Sequence, residues 1–235
     1  MPVEGDWQRL TDEIAARLAT HGIDLVHPFA VGWFNSAVEP AEALAAFGRT
    51  GALGVLIGNT RRMWEPFLAA CRADPTLRAS ADPIEGYVES RVTPAIADLG
   101  VRSLLRWAHD PPPRLPIQRL AALSGFAQLS PVGLNVHSIY GPWFALRAAV
   151  VLDLAGPAGD APVSPPVCAD CTHTCELLFQ RASAAQVGEP DISSTWPLWL
   201  AVRDACPVGR DWRYGDDQIR YHYAKDRSVL ERASR

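Results

Sequence analysis

PVGLNVHSIYGPWFALRAAVVLDL, residues Pro131 to Leu154, decides the architecture of this chain. Its first part carries Gly133 and Asn135, residue types that tolerate positive φ and let a backbone approach a ligand closely. From Trp143 to Leu154 it turns apolar, with only Arg147 and Asp153 charged. That pattern predicts a strand, or a strand pair, in a buried sheet. Arg147 is then an anomaly. A guanidinium on a buried strand keeps its charge and needs an anionic partner, either a carboxylate of the fold or a ligand carboxylate or phosphate.

Outward from this stretch, helix and strand signals alternate. Leu10, Ile14 and Leu18 lie at helical spacing, with Gly22 as a stop. Residues 23–35 are rich in β-formers and contain Pro28, which predicts a broken or edge strand. Residues 52–58, ALGVLIG, suit a central strand. Thr60 is placed to cap a helix that Pro66 shortens, and Asp82, Pro83 and Glu85 open a helix towards Leu99 that Pro94 divides. A strand at 101–107 and a helix from Ile117 follow. The alternation predicts an α/β or α+β class with helices covering a central sheet. After the linker AGPAGDAPVSPP, closing helices are expected over 193–205 and 216–232.

The 235 residues support one sizeable core, and 48% hydrophobic with 20% charged residues is an ordinary globular balance. A net charge of −4 argues against a nonspecific nucleic-acid binder. No basic, apolar leader or membrane-length run is visible, so a cytoplasmic chain with no membrane partner is expected. CADCTHTC gives C-x2-C-x3-C from Cys168, Cys171 and Cys175, and Cys206 follows in DACPVG. Four thiolates converging on one point would suit zinc or a four-iron cluster, with His173 able to replace one of them at zinc. Reduced cysteines of the fold remain the alternative. No GxSxG, Walker loop, HExxH or GxGxxG is present.

HSIYGPWFALRAAVVL is similar to a His-x-x-Phe-Gly-x-Trp-Phe-Ala-Ile-Arg run of the CblC-type (MMACHC family) cobalamin-processing proteins. GIDLVHPFAVGWFN, ALGVLIGNTRRMWEPFLAAC, DPIEGYVESRV and VRDAC followed by RYGDDQIRYHY resemble further segments of that family. GLN, GDAPV and CADCTHTC echo the cobalamin domain of epoxyqueuosine reductase and reductive dehalogenases, although Thr174 and Cys175 depart from that cluster pattern. Ala122 stands where the CblC type has the histidine of a His-x-x-Gly.

The resemblance implies an α+β, flavin nitroreductase-like fold: residues 1–160 as a cobalamin-binding core, and 161–235 as a Cys-rich loop and closing helices completing the same domain. It implies a protein that binds cobalamin and removes its upper axial group, as a reductase or dealkylase. A noncatalytic cobalamin carrier, or a metal-clipped relative binding flavin or a partner, is the alternative. Gly133, Asn135, His137, Gly141, Trp143 and Tyr214 become the cofactor-facing residues. Arg147, Arg203 and Arg227 become the cosubstrate arginines, facing a small thiol, or else a reductase donates the electrons. Cys168, Cys171, Cys175 and Cys206 become a metal site of iron-sulfur or zinc type. A homodimer is a further expectation.

Overall fold

The computed structural model describes residues 6–189, 192 and 194–232. Strand β6, Ala145–Ala155, lies within a four-stranded sheet of order β1-β2-β6-β3, where β1 is Leu25–Ala30, β2 is Ala52–Asn59 and β3 is Ser103–Trp107. Every neighbouring pair is antiparallel. With no parallel pair to connect, the layout is α+β rather than doubly wound.

The period of two along these strands sorts side chains into two cores. Leu53, Val55 and Ile57 with Ala148, Val150 and Leu152 face one side. There they meet helices α1 (Asp6–Ala19), α3 (Trp64–Ala73) and α5 (Pro83–Ala97). Ala52 and Leu56 with Ala149 and Val151 face the other, against α2 (Val31–Asn35) and α6 (Ile117–Leu123). Gly54 shows why β2 carries glycine: an added Cβ would fall 2.2 Å from the Phe29 ring. Pro28 sits on edge strand β1, where a missing ladder donor is tolerated.

Several expectations need correction. Residues 31–35 are helical rather than strand. Helix α5 runs through Pro94 to Ala97 instead of dividing there. The segment after the linker contains an unforeseen helix, α7 (Thr174–Gln186), in which only Ala182 is buried. One buried residue leaves almost no apolar period to read. Helix α8 is Trp196–Asp204, and the expected start at Ser193 lies outside the described residues. The last helix is split into α9 (Asp216–Tyr223) and α10 (Ser228–Arg232), with Lys225 at φ 55° in the break. The remaining elements are the short helix α4 (Pro75–Ala79), the two-stranded pair β4 (Gln128–Leu129) and β5 (Asn135–Val136), and 3-10 turns at Arg61–Met63 and Arg210–Trp212. Val229 and Leu230 of α10 join the first core.

Candidate functional site

The turn between β4 and β5, and the start of β5, are held by Gln118 of α6. The Gln118 amide donates to the Gly133 carbonyl at 3.0 Å, and its own backbone carbonyl accepts from Asn135 Nδ2 at 3.0 Å. The Asn135 Oδ1 is buried without a hydrogen-bond partner. His137 organises the next turn: its Nδ1 accepts from the backbone N–H groups of Ile139 at 3.1 Å and Tyr140 at 3.4 Å. The neutral ring therefore carries its proton on Nε2. Burial, and then nearby His27, hold His137 below the usual histidine range. Its ring stacks on Tyr140 at 4.6 Å and tilts against Phe126 at 4.9 Å. His137 is thus a loop-building residue whose Nδ1 is already engaged.

Gly141 has φ 56°, and a Cβ there would fall 1.9 Å from the Val208 carbonyl oxygen. This close approach seats the 206–209 turn on the loop. Gly141→Ala should therefore destabilise the protein by about 2–4 kcal/mol, combining left-handed strain with a backbone clash, measurable by urea denaturation. An unchanged midpoint would show that the two segments do not meet.

Arg147 enters from β6 and is largely buried. Its Nε donates to Asn59 Oδ1 at 2.7 Å, and Glu85 lies 3.8 Å from Nη1. Both partners belong to the fold, yet Nη2 is buried with no hydrogen-bond partner. Arg203 of α8 lies within 6.0 Å of the rings of Trp143, Tyr214 and Tyr223, and its Nε likewise has no hydrogen-bond partner. Tyr214 is buried between the two guanidiniums; burial raises its phenol pKa while Arg203 and Arg147 pull it down.

Two cavities flank this arrangement. One, of about 230 Å³, is lined by Asn135, Phe144, Leu146 and Arg203, with Leu134 and Pro142 in its wall. The other, of about 190 Å³, is lined by Arg147, Glu85, His222, Lys225 and Arg227. The cosubstrate trio is therefore divided, with Arg147 and Arg227 in one cavity and Arg203 in the other. Arg227 has little left to offer a ligand, since it donates to the carbonyls of Ala81, Arg78 and Ser80 at 2.9, 2.9 and 2.7 Å.

His222 was not singled out from the sequence; the Tyr221-His222-Tyr223 run on a polar helix was its one signal. Burial first, then the charges of Arg147, Arg203 and Lys225, push it down to about 3. A histidine depressed from 6.5 when folded binds its proton more readily in the unfolded chain. Stability is then fully present above about pH 6.5 and erodes as pH falls towards 3. Between pH 7.5 and pH 5 the loss attributable to this group is about 2 kcal/mol. The measurement is the difference in pH slope between the parent chain and His222→Phe; identical slopes would remove the assignment.

An orphaned acceptor on Asn135 and an orphaned donor on Arg203, set around apolar Phe144 and Leu146, suit a flat apolar ligand edged with amides or carboxylates. No family model matches the chain. A Caenorhabditis elegans B12-trafficking protein CblC, described as a homologue of human MMACHC, superposes with a TM-score of 0.71, covering 96% of each chain at 19% identity. This chain has the fold of a CblC protein. Proteins named cyanocobalamin reductase/alkylcobalamin dealkylase are similar to it in sequence. The Homo sapiens protein is 29% identical across 90% of this chain and 76% of its own length. The Mus musculus protein is 28% identical over 90% and 77%. The Danio rerio protein is 26% identical over 83% and 81%.

Onto this CblC fold the chain places its cysteines. Cys168, Cys171, Cys175 and Cys206 all line one small pocket, so the turn carrying Cys206 is brought back to the other three. Among the described residues no group of three or more His, Cys, Asp or Glu side chains is placed to hold a metal ion. His173 has no free ring nitrogen: Nε2 donates to the Cys168 carbonyl at 2.8 Å, and Nδ1 meets the Glu176 carboxylate at 2.9 Å. These two hydrogen bonds, to the Cys168 carbonyl first and then to Glu176, raise its pKa above the usual histidine range.

Proposed function

We propose that this protein binds cobalamin and processes the upper axial ligand of corrinoids, by reductive decyanation or by dealkylation. Likeness to the named reductase/dealkylase proteins over most of both chains supports the reaction class. The observation that carries it to this chain is the apolar cleft with two unpartnered buried polar atoms, Asn135 Oδ1 and Arg203 Nε. Corrin has that chemistry, a flat macrocycle edged with amides. A cleft of about 230 Å³ takes one edge of the ring, so the rest lies at its mouth. Gly133, Asn135, His137 and Gly141 shape the loop side of this binding surface, while Trp143 and Tyr214 support Arg203 from beneath. The nitroreductase-like kinship expected of the fold belongs to this reading and is supported by the antiparallel sheet with helical layers on both faces.

The arginine cavity, whose lining shares no residue with the cleft, receives the second reactant, a small thiol bearing carboxylates. Arg147 and Lys225 are its anchors, and Arg227 holds the wall. A corrinoid held with its lower nitrogen donor detached is easier to reduce, and the protein's part is to orient it and exclude water. A reductase as electron donor and a homodimeric assembly remain within this reading.

The test is a visible spectrum of methylcobalamin and of cob(II)alamin with one equivalent of protein. The expected result is the shift of the tail-detached form, followed by thiol-dependent loss of the methyl group. An unchanged spectrum at micromolar concentrations overturns the proposal. A shift without turnover leaves a carrier.

A further inference from the structure

The cysteine pocket and the corrinoid cleft share a wall. Leu134 and Pro142 line both, and Arg203 of the cleft is one helical turn from Cys206, whose N–H donates to the Arg203 carbonyl at 3.2 Å. The thiols therefore stand one side-chain layer from the cleft. Cys168 and Cys171 are drawn into a tight turn, with Cys171 N–H donating to the Cys168 carbonyl at 3.3 Å. Gln128 of β4 fixes this turn by accepting from Cys168 N–H at 3.1 Å, and His173 N–H donates to Cys171 Sγ at 3.4 Å. The pocket is otherwise apolar, with Val136, Val167, Val202 and Pro207 in its lining. Burial raises the pKa of Cys168, Cys175 and Cys206, and their mutual repulsion adds to it, so the pocket stores protonated thiols.

We propose that Cys168 and Cys171 form a dithiol–disulfide couple that delivers electrons to the corrinoid across the Leu134–Pro142 wall, with Cys175 and Cys206 closing the pocket. This rests on the corrinoid reading above. In the reaction two S–H bonds break and one S–S bond forms. Two protons pass to solvent, and two electrons reduce two Co(III) centres to Co(II), each upper ligand leaving with its bonding pair. An external thiol restores the dithiol by exchange.

The experiment uses the full chain, reduced, freed of reductant without oxygen, and mixed with hydroxocobalamin. The expected result is a burst of cob(II)alamin matched by an equal loss of free thiols, with peptide mapping placing the new disulfide between Cys168 and Cys171. The double variant Cys168→Ser/Cys171→Ser should lose the burst tenfold or more while keeping the methylcobalamin spectral shift. Cys175→Ser/Cys206→Ser should keep the burst. A burst that survives in the first variant, thiols that stay intact, or zinc or iron retained stoichiometrically through a chelator wash overturns the proposal. Should the first variant not fold, the mapped disulfide of the parent chain decides alone. Failure to bind corrinoid at all is seen separately, as an unchanged spectrum, and sinks the proposed function. Glutathione redox buffers then read the couple itself, and absence of a Cys168–Cys171 disulfide in them overturns it too.

Discussion

Arg147→Met should retain the corrinoid spectral shift and lose thiol-dependent dealkylation by about 30-fold or more in kcat/KM for the thiol. The size follows from what is removed. A buried guanidinium paired to a ligand carboxylate is worth about 2–5 kcal/mol, and each 1.4 kcal/mol is about tenfold. Arg147 is suited to that task because the fold does not use up its donors. Asn59 takes Nε and Glu85 sits near Nη1, while Nη2 is left over. The stability change should be smaller. Methionine fills the space of the aliphatic stem, and Glu85, partly exposed, turns to water. Buried Asn59 loses one donor, at a cost of about 1–3 kcal/mol. Arg147→Lys should recover part of the activity through charge and not the fork geometry. A Met variant with wild-type thiol kinetics would remove Arg147 from the cosubstrate site and leave it a structural ion pair.

The sequence carried the sheet well because its central strands are mostly apolar: residues 52–58 are buried throughout, and 148–152 are buried in β6, with Arg147 and Asp153 the charged interruptions. Pro28 even marked its strand as an edge. What escaped is where period and burial part company. Helix α7 buries one residue, and the α5 backbone absorbs Pro94 without ending. At the site, Asn135, Trp143, Arg147, Arg203 and Tyr214 were nameable because polar or aromatic groups stood out against an apolar run. The separation of Arg147 from Asn135 and Arg203 into two cavities was not, since it depends on tertiary packing. Gln118 and His222 were invisible for a related reason. Each is an unremarkable polar residue on a helix until the fold places a loop or three cations beside it. The spacing of the cysteines reported that thiols can meet, and the four line one pocket; that both ring nitrogens of His173 are engaged is a tertiary fact that no spacing reports.

Trp143→Ala is expected to have the largest effect on stability, about 3–5 kcal/mol, because the indole is 1% exposed and its removal leaves a large cavity in its cluster with Tyr214 and Ile219. The ring also has a functional consequence. It stands edge-on to Tyr214 at 5.5 Å, with the Arg203 guanidinium 5.4 Å and the Arg213 guanidinium 5.6 Å from its centroid. Without it, Arg203 loses the face that holds it at the cleft, and Tyr214 loses its neighbour. Corrinoid affinity should fall even in the fraction that remains folded, by about tenfold for an aromatic–cation contact of about 0.5–2 kcal/mol together with the loosened Tyr214. Trp143→Phe keeps an aromatic face and should recover most of the affinity while still losing stability to the smaller ring. Urea denaturation and methylcobalamin titration separate the two effects. If Trp143→Ala lowers stability but leaves affinity untouched, Arg203 is held at the cleft by α8 alone, and the aromatic platform belongs to the core rather than to the site.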